Sequence, residues 1–141
     1  MHRTIATILG SFLWLSFATG QVAVIANKSV PVDEVTSQQL LDFYTGDVKL
    51  WENKDPVIVT DLKPEGEVKA LFYEFLGKSP SRMKSIWLKK MLSGEGDPPE
   101  ALKSESEVLQ KVSSTPGAIG FVSEANISDD VKVLTVIPRK D

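Results

Sequence analysis

The chain has 141 residues, 42% of them hydrophobic and 25% charged, with a formal net charge of −3. That is enough for one domain with a real core and too little for two ordinary ones, and nothing in it suggests a coiled coil, a repeat or a low-complexity tract. It has no cysteine and one histidine, His2. Its negative balance argues against a general nucleic-acid-binding role, which needs clustered Lys and Arg.

The first twenty residues read as a signal peptide. His2 and Arg3 form a short basic region, Ile5 to Phe17 an apolar run, and Ala18-Thr19-Gly20 places small residues where signal peptidase inspects them. The run is shorter than the roughly 20 residues of a membrane-spanning helix, and no second long apolar run follows. The expected mature chain is therefore residues 21–141, a soluble single domain without a transmembrane segment; the rival reading of the first twenty residues is an uncleaved N-terminal anchor. Cleavage removes His2 and leaves 15 basic residues, one fewer than the full 16, against 19 acidic ones. Without His or Cys the mature chain has no Ser-His-Asp triad, no Cys nucleophile, no disulfide and no ordinary zinc or copper site. No catalytic constellation is visible, so the expectation is a protein that is not an enzyme and carries no cofactor or metal.

Val22 to Ala26 is a continuous apolar run and reads as a strand buried on both faces. Thr36-Ser37-Gln38-Gln39 has the pattern of a capping box, followed by Leu40, Leu41, Phe43 and Tyr44 on a short helix that Gly46 stops. Val57-Ile58-Val59 reads as a second buried strand. Lys63-Pro64-Glu65-Gly66 then turns into a helix with Val68, Leu71, Phe72, Phe75 and Leu76 at helical spacing, closed by Gly77. Ser79-Pro80 opens another helix with Met83, Ile86, Trp87 and Met91 as its stripe.

Gly94 to Pro99 reads as a loop, and Ser104-x-x-Glu107 as a second capping box before Val108, Leu109 and Val112. Thr115-Pro116-Gly117 turns into a strand over Ala118 to Val122, and Val131 to Ile137 is the last strand. The predicted order is β-α-β-α-α-α-β-β. It indicates an α/β single domain with a mainly parallel sheet covered by helices.

Four segments in this order carry a family resemblance. The first is a strand ending in Asn27; the second is Phe43, Gly46 and Trp51, close to an F-x-G-x-x-x-x-W pattern; the third is PVIVTDLKPEGEVKALFYEFL; the fourth is STPGAIGFV. Together they resemble the substrate-binding proteins of phosphate ABC transporters, in the type 2 periplasmic binding protein superfamily. The chain is long enough for one of that family's two lobes and little more. The resemblance implies a periplasmic location, weak binding of phosphate or another small oxyanion, and a membrane transporter or sensor protein as partner. An alternative reading is a ligand-free interaction or scaffold protein that keeps only the fold.

The resemblance places the anion at a glycine loop that opens a helix, where free N–H groups and the helix dipole attract negative charge. It assigns Lys63 to the basic position and Gly66 to the loop glycine. Glu67 stands where the family has a hydroxyl, and a carboxylate there repels an anion. Glu65 and Glu67 also read simply as first-turn acids that favour the helix dipole. Lys28 after the first strand and Asp61 after the second are further candidates, because ligands of open α/β sheets bind at the carboxyl ends of strands. Both also read as solvated loop residues, and Trp51 and Trp87 as packing residues.

Overall fold

Each helix begins and ends where its local chemistry dictates. The Thr36 hydroxyl accepts the Gln39 N–H while Gln39 Oε1 accepts the Thr36 N–H, so α1 (Ser37–Thr45) starts in a complete capping box. Gly46, at φ 74°, closes it in the left-handed conformation. Ser79 caps α3 (Pro80–Leu92) and Ser104 caps α4 (Glu105–Ser114), each hydroxyl taking one of the helix's first N–H groups. Between them α2 (Glu67–Leu76) runs from Gly66 to Gly77. A computed structural model describes residues 21–139. Residues 1–20, read above as a signal peptide, lie outside them.

The five strands are β1 (Val22–Ala26), β2 (Ile58–Leu62), β3 (Glu100–Leu102), β4 (Ala118–Ser123) and β5 (Lys132–Ile137), in sheet order β3-β2-β4-β1-β5. β2 pairs in parallel with β3 and β4, whereas β1 pairs antiparallel with both β4 and β5. Four strands therefore share one direction and β1 alone is reversed, so the sheet is mixed where the sequence suggested a mainly parallel one. Strand burial does not report direction. β1 is fully buried because helices cover both faces of the sheet.

Successive β4 residues show the two layers. Gly120 faces α4, where any Cβ would collide with Val108 and with the Thr60 hydroxyl, so glycine lets the helix approach the sheet closely. Phe121 points to the other face and stacks on Phe72 of α2 at 3.9 Å between ring centroids. Tyr44 of α1 meets Phe72 edge-on at 4.8 Å, which brings α1 into the same layer.

Three local expectations shift. The predicted order has no strand between Pro99 and Ser104; β3 is a three-residue edge strand with Glu100 and Ala101 exposed, too short to show periodicity. β2 runs on to Leu62, so Asp61 lies within the strand and not after it. The buried face of α2 is Lys69, Phe72, Tyr73 and Leu76, while Val68, Leu71 and Phe75 are only partly buried against the core. The helix is rotated from its most apolar stripe because its Phe72 side packs on Phe121 of the sheet and on Tyr44 of α1.

Candidate functional site

The carboxyl end of β2 leads through Lys63–Gly66 into α2. The Lys63 N–H bonds Leu102 O on β3 at 2.8 Å, which fixes where the chain leaves the sheet. Gly66 is the N-cap of α2 in an extended conformation, with no side chain capping the helix; α1, α3 and α4 all have such a cap. Nothing lies within 4 Å of where a Gly66 Cβ would stand, so the backbone here is open to approach. An uncapped N-terminus keeps its first N–H groups and the positive end of the dipole available to an anion.

The side chains around this opening are mixed in sign. Lys63, Glu65 and Glu67 are exposed. Glu67, the first helical residue, pairs with Arg139 at 3.4 Å. Glu65 pairs with Lys69 one turn on, at 3.8 Å. Asp61, half-buried at the end of β2, accepts the Leu62 N–H on Oδ1 at 2.8 Å and the Tyr73 O–H on Oδ2 at 2.6 Å. Burial, then the Asp61 charge, holds the Tyr73 phenol well above its ordinary pKa, so it stays a protonated donor. Tyr44 is raised the same way, first by burial and then by Asp61, and donates to Thr60 O at 2.8 Å.

Lys63, Gly66, Glu67 and Asp61 therefore share one end of the sheet. Lys28 does not. Because β1 is reversed, Lys28 follows Asn27, whose N–H bonds Ala118 O at the beginning of β4, and it lies at the opposite end from the α2 opening. The expectation that Lys28 joins the loop is corrected by strand direction alone.

The other motifs that carried the resemblance build that opposite end. Asn27 Nδ2 donates to Val112 O at 2.8 Å and Ser113 O at 3.1 Å, satisfying the last carbonyls of α4. Trp51 Nε1 donates to Gly117 O at 2.9 Å, and the Gly117 N–H donates to the Ser29 hydroxyl at 3.1 Å. Gly117 adopts φ 78°, and any Cβ there would strike the Pro56 carbonyl. These residues are a frame; only the β2–α2 segment forms a candidate site. Lys69, Tyr73 and Arg139 were not singled out in the sequence. The only hints were the four-residue steps from Glu65 to Lys69 and from Lys69 to Tyr73.

No protein-family model matches the chain. Solved structures do match it. A substrate-binding protein assigned to a phosphate ABC transporter of Clostridium perfringens, solved with bound phosphate, superposes with a TM-score of 0.66 at 20% identity over 80% of this chain. The chain has the fold of one lobe of a periplasmic binding protein. An ABC-type phosphate transport receptor from Vibrio cholerae matches with a TM-score of 0.62 at 18% identity over 80% of the chain, and PstS from Borrelia burgdorferi with 0.58 at 16% over 82%. The chain spans less than half of each, 43%, 44% and 47% of their lengths. Among the described residues no helix is long and apolar enough to cross a membrane.

Proposed function

We propose that the chain is an exported binding module, directed to the periplasm by residues 1–20, that takes phosphate or another small oxyanion weakly at the opening of α2. It acts with a membrane transporter or sensor protein in phosphate uptake or sensing. Its role is binding and not catalysis. The observation that carries this reading is the uncapped, open N-terminus of α2 at the carboxyl end of β2, in a fold shared with a structure that holds phosphate. Lys63 and Arg139 supply cations near that opening. A single open lobe buries little of a ligand, so affinity is low.

The surrounding carboxylates favour a second reading, a ligand-free interaction module that retains the fold. Asp61, Glu65 and Glu67 stand within one short segment, and each opposes an arriving anion. Calorimetric titration of inorganic phosphate into the mature chain separates the two. The binding reading expects a Kd of about a millimolar to high micromolar at low salt, weakened by Lys63→Ala. Absence of heat from wild type and from Glu67→Ser alike supports the scaffold.

A further inference from the structure

On the α3 side of α2, a cavity of about 370 Å³ opens between the two helices and the loop that carries Pro98 and Pro99. Lys63, Gly66 and Glu67 take no part in its lining. Its wall is apolar, with Met83, Trp87 and Met91 of α3. Its floor is polar, with Asp61, Lys69 and Tyr73.

Lys69 is the informative residue. Its side chain is only 10% exposed. A lysine with a mostly buried stem keeps its ammonium where water or a ligand can satisfy it. Here it meets Glu65 Oε1 at 3.8 Å, beyond hydrogen-bond range, and Glu65 is itself 77% exposed. Its other neighbour is the Tyr73 ring, 5.7 Å from Nζ to the centroid. Among the described residues no oxygen accepts a hydrogen bond from Lys69. Asp61, in the same lining, takes the Leu62 N–H and the Tyr73 O–H. The charged lining is Asp61, Lys69 and Lys84, a net of one positive charge.

We propose that this cavity is a binding site for a small organic monoanion, a carboxylate on an aromatic or branched aliphatic body. The carboxylate accepts N–H donors of Lys69 that the protein leaves unspent. The body packs on Trp87, Met83 and Met91. The volume lies at the small end of ligand pockets, which suits a compact acid. Lys69 and Lys84 supply the cations for the carboxylate, against Asp61 in the lining and Glu65 beside Lys69. This site does not depend on the phosphate reading, because Glu67→Ser, which probes that reading, leaves Lys69 and the cavity untouched.

Phenylacetate tests the proposal, with 2-phenylacetamide as its neutral counterpart and inorganic phosphate as competitor. The readout is NMR of the Met83 and Met91 methyls and the Trp87 indole. Phenylacetate is expected to shift these signals and to bind about tenfold or more tightly than the amide, the usual margin of a charge-assisted hydrogen bond. Lys69→Met keeps the apolar stem and should erase that preference, whereas Lys69→Arg should retain it. Equal binding of acid and amide to the wild-type chain overturns the proposal without any variant. So does displacement of phenylacetate by an equal concentration of inorganic phosphate, because the apolar body would then contribute nothing.

Discussion

Tyr73 donates its phenol O–H to Asp61 Oδ2 at 2.6 Å and so ties the middle of α2 to the carboxyl end of β2. Tyr73→Phe removes that donor and leaves a half-buried carboxylate with one partner fewer. The expected loss is about 1–3 kcal/mol in urea denaturation at pH 7. Burial of the Tyr73 phenol, and then its contact with Asp61, also makes stability depend on pH. The folded-state pKa of Tyr73 is raised above its ordinary value by burial and by Asp61, so its contribution is complete below about pH 10 and is lost as pH rises through the folded value. The urea midpoint should fall more steeply in wild type than in Tyr73→Phe above about pH 10. Parallel slopes would contradict the bond.

Glu67 and Arg139 make the second prediction. Glu67→Ser removes a carboxylate from the α2 opening, adds a hydroxyl donor, and ends the claim of Glu67 on Arg139. Two unit charges about 4 Å apart repel by about 4 kcal/mol at an effective dielectric of about 20. Relief of part of this should raise phosphate affinity by about one to two orders of magnitude. Adding Lys63→Ala or Arg139→Gln to Glu67→Ser should return most of the gain, as read by calorimetry at low salt.

The two phenylalanines of α2 should behave differently. Phe72 is fully buried, stacked on Phe121 and edge-on to Tyr44, so Phe72→Ala should cost about 3–5 kcal/mol. Phe75 is only partly buried, and Phe75→Ala should cost about 1–2 kcal/mol. Chemical denaturation of the two variants side by side checks the rotation of the helix face, which equal losses would refute.

That rotation marks the boundary of what the sequence disclosed. Caps and turns were legible because their chemistry is local: Thr36 with Gln39, Gly46, Gly77, Ser79 with Pro80, and Ser104 all act where expected. Strand direction was not, because the reversal of β1 depends on which edge it pairs with, and that moved Lys28 away from the α2 opening. The burial of Lys69 was equally hidden. An apolar stripe of five residues outweighs one lysine in any periodicity, yet the contacts of Phe72 with Phe121 of the sheet and Tyr44 of α1 decide the face. Within the candidate site, the loop and its glycine were readable, whereas the Asp61–Tyr73 bond and the Glu67–Arg139 pair join residues 12 and 72 positions apart.

At the frame end, Gly117→Ala should be among the most damaging single-methyl changes in the chain. The position needs φ 78°, and the added methyl would strike the Pro56 carbonyl while disturbing the Trp51 and Ser29 bonds. A loss above about 2 kcal/mol by thermal or urea unfolding is expected, with phosphate and phenylacetate binding changed only as far as folding is.

The account rests on the α2 opening as a place for an anion. Backbone amide shifts followed while inorganic phosphate is added to residues 21–141 at low salt test it most directly. The predicted result is saturable movement of the Gly66, Glu67 and Val68 amides, at about millimolar to high-micromolar concentration, larger in Glu67→Ser and smaller in Lys63→Ala. Unmoved amides in both wild type and Glu67→Ser, with the protein folded, would contradict the phosphate reading and leave the fold as a scaffold.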